Sequence, residues 1–174
     1  MPEPRAAGAA TEVILIARSI GRRSLGEPLS REGHLGLVFE LGDAPAHVSW
    51  LVQAGPADGL LRGTLGRCTR GWLATFAEAD GAVWDTGAAL VLPVSVLLRT
   101  TTTTTTPGAT LDRGRLAAIV TAINERRLPY RYETGPNSNT FARMVLETVG
   151  SAVAVLPSTG GFTLRGWDWE PPVA

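Results

Sequence analysis

The stretch Leu128-Pro129-Tyr130-Arg131-Tyr132-Glu133-Thr134-Gly135-Pro136-Asn137-Ser138-Asn139-Thr140-Phe141 is the part of the chain whose reading decides the fold. Gly135-Pro136 sets a sharp turn, since glycine tolerates positive φ and proline presets its own. The small polar residues that follow suit the unpaired backbone N–H groups at a helix start. Phe141, Met144, Val145 and Val149 then share one helical face, and Gly150 is a stop signal. The pattern predicts a helix from near Asn139 to just before Gly150. Capping accounts for one or two of Asn137, Ser138, Asn139 and Thr140, not readily for all four. A side chain at such a helix end sits beside free amides in positive potential. Those conditions stabilise a developing anion and lower a nucleophile's pKa.

Upstream of this turn, Leu116, Ile119, Val120 and Ile123 recur at helical spacing and predict a second helix, with Thr110 as its N-cap. Arg126 and Arg127 close it, where cations suit the helix dipole. Before that helix stand seven consecutive threonines, residues 100–106. Threonine favours extended backbone, but an unbroken polar run has no face to bury, so a solvent-exposed crossing from sheet to helices is expected.

The first half reads as strands. Residues 13–17 are Val- and Ile-rich, residues 34–41 are apolar, and residues 47–53 alternate polar with apolar. Residues 19–33 read as loop, and residues 55–66, with four glycines, as loop and short strand. Asp80-Gly81 is a hairpin signal between residues 72–76 and 82–84. Pro93 pushes a strand at residues 90–98 towards a sheet edge. Short strands are also expected at residues 151–156 and 161–165, followed by a terminal strap pinned by Trp167 and Trp169. The fold class expected is α+β: an antiparallel sheet of about five to six strands with two helices in the C-terminal half. Residues 1–11 read as a flexible tail and 12–174 as a single globular domain.

Composition narrows the function classes. The chain has 174 residues, with 16 basic and 16 acidic side chains and no lysine. Balanced charge gives no long-range field for nucleic acid, and without lysine the glycine series of residues 55–66 cannot be a phosphate-binding P-loop. One cysteine, Cys68, and two histidines are too few for the usual zinc sites, so neither metal nor cofactor is expected. No stretch is long and apolar enough for a membrane span, and residues 1–11 lack the apolar core of a signal peptide. A cytoplasmic protein is the expectation.

Asn137-Ser138-Asn139-Thr140-Phe141 resembles the Asn-Cys-x-x-Phe stretch that opens the nucleophile helix in circularly permuted papain-fold families, the NlpC-type and lecithin:retinol acyltransferase-like proteins. It is more similar still to a bacterial domain of uncharacterised function with a Pro-Asn-Ser-Asn-Thr-Phe motif, here residues 136–141. This likeness covers roughly the last 75 residues, which include Pro129-Tyr130 and the helix before them. It implies a papain-like (permuted) fold and a histidine on an upstream strand. Carried over, Ser138 stands at the nucleophile position, Asn139 follows it, and His34 or His47 is the base, with His34 favoured because it opens an apolar strand. Serine in place of cysteine departs from the family and demands a well-placed base. Two classes of function follow. One is a Ser–His hydrolase or acyltransferase site, active or inactive, with a peptide or ester substrate. The other is a non-catalytic binding or structural component of a larger protein assembly.

Overall fold

The structure, a computed structural model, describes residues 11–19, 32–42, 48–68, 94–102, 111–151 and 161–171. Among these described residues five strands form one antiparallel sheet: β1 (Glu12–Ser19), β2 (Gly33–Leu41), β3 (Val48–Ala57), β4 (Leu60–Arg67) and β5 (Val94–Thr101). Their order is β4-β3-β2-β1-β5. Thus β1 to β4 form a meander and β5 returns to the far side of β1. Two helices follow, α1 (Arg113–Glu125) and α2 (Ser138–Thr148), which makes the fold α+β. No described helix is long and apolar enough to cross a membrane.

The central strands are apolar on both faces, and strand alternation divides them into two clusters. Val13, Leu15, Leu35, Leu37, Phe39, Val52 and Leu61 face the helices and pack with Leu116, Val120, Phe141 and Val145. Ile14, Ile16, Val38 and Leu51 form a second buried cluster on the opposite face. The helix α2 lies over β2, β3 and β4, and α1 over β4.

Residues 55–66 are strand, as expected in part, and the loop expected among them shrinks to the two-residue turn Asp58-Gly59. Gly55 to Ala57 complete β3, Asp58-Gly59 turns, and β4 starts at Leu60. Both turn residues take positive φ, 51° at Asp58 and 73° at Gly59, the backbone a tight two-residue hairpin requires. The glycine at 63 has a packing reason instead. A Cβ there would fall 1.9 Å from Cζ of Phe141, so its absence admits the ring of α2 onto the sheet.

The threonine run also differs at its start. Thr100 and Thr101 are the last residues of β5, opposite Val13 and Glu12, and the Thr102 N–H donates to the Thr11 carbonyl at 2.9 Å. Sheet pairing satisfies their backbone, so no buried face on each threonine is needed for them to be strand. Among the described residues β5 neighbours β1 alone, the edge position expected for the segment after Pro93. Threonines 103–106, Asp80-Gly81 with its flanking segments, residues 152–156, most of residues 19–33, and residues 1–10 lie outside the described residues.

At α1 the cap is Asp112 rather than Thr110: its carboxylate accepts from the Arg115 N–H at 2.8 Å. Leu111 and Leu116 flank this cap and are both in the main core, a hydrophobic staple that sets the entry of the helix. The Arg113 guanidinium also stacks 5.1 Å from the Trp50 ring of β3. After α1 the chain lies against β4, with the Leu61 N–H donating to the Leu128 carbonyl and the Tyr130 N–H to that of Gly59. The Asn124 side chain joins in, accepting from the Gly63 N–H at 2.7 Å and donating to its carbonyl at 3.0 Å. An otherwise open strand edge is thereby covered.

Candidate functional site

The turn before α2 is built around Asn137, its N-cap. The side-chain oxygen accepts from the N–H groups of Asn139 at 3.0 Å and Thr140 at 3.3 Å, while the Thr140 hydroxyl accepts from the Asn137 N–H at 3.1 Å. This is a reciprocal capping box with asparagine and threonine in its two places. The Asn137 Nδ2 donates outward to the carbonyls of Tyr132 at 2.8 Å and Arg165 at 2.9 Å. Gly135, at φ +77°, precedes Pro136 in the turn, and the Gly135 N–H returns to the Arg131 carbonyl at 2.9 Å.

Asn139 binds backbone rather than a reacting group. Its Oδ1 accepts from the Leu35 N–H, and its Nδ2 donates to the carbonyls of Gly33 and Arg165, each at 3.0 Å. The β2–β3 pairing runs only from Leu37 to Leu41, so the β2 edge at residues 33–35 would lack a neighbour. The Asn139 amide supplies one donor and one acceptor there, as an adjacent strand would. Thr163 continues the same edge, its carbonyl accepting from the Gly33 N–H at 3.0 Å. The Thr140 hydroxyl donates to the Gly166 carbonyl. Asn137, Ser138, Asn139 and Thr140 are all buried, Ser138 at 4% exposure.

His34 stands between the two residues that Asn139 clamps, so its backbone lies beside the start of α2. Its side chain does not. Leu35 and Leu37 face the helices, and alternation therefore sends His34 to the opposite face. There its imidazole hydrogen-bonds the Gln53 side chain; burial first, and then the Arg18 charge, lower its pKa to about 3. Asn139 and the backbone on either side of His34 are thus brought together, and the His34 imidazole is not among them. His47 lies outside the described residues.

A second group flanks the turn. The Tyr132 hydroxyl donates to Glu32, and the Arg165 Nε contacts the same carboxylate at 2.7 Å. Burial, with Glu32 adding to it, pushes the Tyr132 phenol up to about 12. On α2, Arg143 is paired with Glu170 at 2.6 Å and also donates to the Trp169 carbonyl. None of Glu32, Tyr132, Arg143 or Arg165 stood out in the sequence, because these partners are 26 to 133 positions apart. Among the described residues no cluster of three His, Cys, Asp or Glu side chains is placed to hold a metal ion.

The class this geometry defines is an α+β domain with a buried polar clasp at a helix N-terminus. No family model, no curated protein and no solved structure matches the chain.

Proposed function

We propose that this chain is a non-catalytic binding or structural domain, a component of a larger protein assembly, in which residues 135–140 act as a clasp. The observation that carries this reading is the commitment of the polar side chains. Asn137, Asn139 and Thr140 spend their donors and acceptors on six backbone positions: Gly33, Leu35, Tyr132, Arg165, Gly166 and the first turn of α2 itself. A catalytic asparagine or oxyanion donor needs a free hydrogen-bonding group aimed at the reacting atom. These groups are occupied. The position of the His34 imidazole, on the far face and held neutral, adds to the case.

The likeness of residues 136–141 to the permuted papain-like motif is compatible with this reading as a site whose shape outlasts thiol chemistry. The competing reading keeps Ser138, the first residue of α2, as a nucleophile for an amide or ester. A thiol reports on the difference. Ser138→Cys in a chain that also carries Cys68→Ser should alkylate no faster folded than denatured, and the natural protein should hydrolyse no ester or amide in a broad panel. A helix-end thiol activated by a base would instead react faster when folded. That result, with hydrolysis lost in Ser138→Ala, would establish the enzyme.

A further inference from the structure

The hairpin of β3 and β4 carries a pocket on the face of the sheet away from the helices. Val52, Ala54 and Leu61 belong to the main core and Gly63 lies under Phe141, so alternation sends Gln53, Gly55, Arg62 and Thr64 to the opposite face. There Gln53 pairs with Thr64 and Gly55 with Arg62, directly across the two strands. With Pro56 these four line a cavity of about 220 Å³. Gly55 makes the space, since a Cβ there would meet no atom within 4 Å. The Gln53 side chain is held by the His34 imidazole, and the Thr64 hydroxyl donates to the Gln53 carbonyl at 3.4 Å. Arg62 reaches the last turn of α1, where its Nη1 donates to the Asn124 carbonyl at 3.0 Å. That bond fixes the guanidinium by one nitrogen and leaves Nε and Nη2, the edge that takes a two-oxygen anion side-on. Among the described residues no carboxylate pairs with Arg62.

We propose that this pocket binds a small carboxylate, with Arg62 taking both carboxylate oxygens and the apolar part of the ligand lying over Gly55 against Pro56. The volume is below the roughly 300–1,000 Å³ of pockets for drug-sized ligands, so the occupant is small. An uncompensated guanidinium matches a single negative charge. The last carbonyls of α1 beside it carry the negative end of the helix dipole, which disfavours a dianion such as phosphate. An extended peptide cannot enter as a further strand, because the free edge of β4 is taken here. The Asn124 side chain binds both backbone groups of Gly63, and the Leu61 N–H donates to the Leu128 carbonyl. The pocket shares no residue with the clasp at residues 135–140 and goes beyond the reading of that clasp. The Ser138 assays do not touch it, so either can fail alone.

The test is calorimetric titration of the full chain with propionate and benzoate at constant ionic strength. Propionamide and benzamide serve as neutral isosteres and inorganic phosphate as the dianion. The carboxylates should bind saturably at one site and raise the melting temperature with concentration, as a ligand of the folded state must. The amides should not bind, and phosphate should bind more weakly than either acid. Arg62→Gln should weaken carboxylate binding by about tenfold or more, the loss of a charge-assisted pair. That change also removes the bond to Asn124, so a second variant fills the pocket and leaves the charge in place. Gly55→Leu enters open space, should melt as the natural chain does without ligand, and should abolish binding. No saturable response to either acid, amides that bind as well as the acids, phosphate that binds more tightly, or carboxylate binding kept in either variant would each overturn the proposal.

Discussion

At Asn139, three hydrogen bonds to two separate backbone segments, the start of β2 and the stretch at Arg165, converge on one amide. Removing it leaves the buried Leu35 N–H without its partner, and each buried group so stranded costs roughly 1–3 kcal/mol. Asn139→Ala should therefore lower stability by about 2–4 kcal/mol in urea unfolding. Asn139→Asp should not restore it, because a carboxylate keeps the acceptor for Leu35 but sets negative charge against the carbonyls of Gly33 and Arg165. Ser138→Ala removes none of these bonds and should cost much less. An Asn139→Ala loss no larger than that of Ser138→Ala would show that the clasp does not hold the fold.

Between elements, the contact of α2 with β4 turns on a single missing atom. Gly63 leaves the space in which the Phe141 ring sits, and Asn124 of α1 pairs with the same glycine's backbone. Gly63→Ala should destabilise by about 1–3 kcal/mol through overpacking. Shortening the ring relieves the clash, so Gly63→Ala with Phe141→Leu should cost less than the two single changes summed. A double-mutant cycle measures this coupling, which for residues in contact runs to roughly 0.5–3 kcal/mol. Strict additivity would mean that the alanine is accommodated by moving β4 rather than by the ring. The hairpin that presents Gly63 was open to reading, since Asp58-Gly59 is a hairpin dipeptide with strand residues on either side. The surrounding glycines masked it. Gly55 and Gly66 have open space beside them, so their number reflects an uncrowded surface rather than a loop.

For the molecule as a whole, the two-faced sheet links stability to pH through His34. Its pKa is about 3 in the folded protein, against an ordinary value of 6.5. Below pH 6.5 the unfolded chain takes up a proton that the folded chain refuses, so stability falls as pH falls, down to the folded pKa. The limiting slope is about 1.4 kcal/mol per pH unit. Between pH 6.5 and 5 most carboxylates remain ionised, which leaves histidine as the residue type that matters, and the substitution separates His34 from His47. His34→Gln should flatten the pH profile in that window, measured as denaturation midpoint against pH. An unchanged slope would mean that His34 takes up its proton as readily in the folded protein as in the unfolded chain.

Local patterning by itself determined the element types. Helical spacing in residues 116–123 and 141–149, the Val/Ile-rich run at residues 13–17 and the apolar run at residues 34–41 are properties of neighbouring residues. A chain of this charge and hydropathy expresses them wherever it folds. The polar turn was equally legible as a helix start, because asparagine beside threonine satisfies free amides within one turn. Only the tertiary structure decided what that turn touches. The Asn139 amide meets β2 some hundred positions earlier, with Asn139 to Leu35 separated by 104 residues, and meets Arg165 from the other side. Nor does a strand's sequence say which face receives the helices. That choice, made by the packing of Leu35 and Leu37 beneath Phe141 and Val145, sent the His34 imidazole away from Ser138. A residue at the right place along the chain is thereby a one-residue alternation away from the right place in space, because strand side chains reverse at every step.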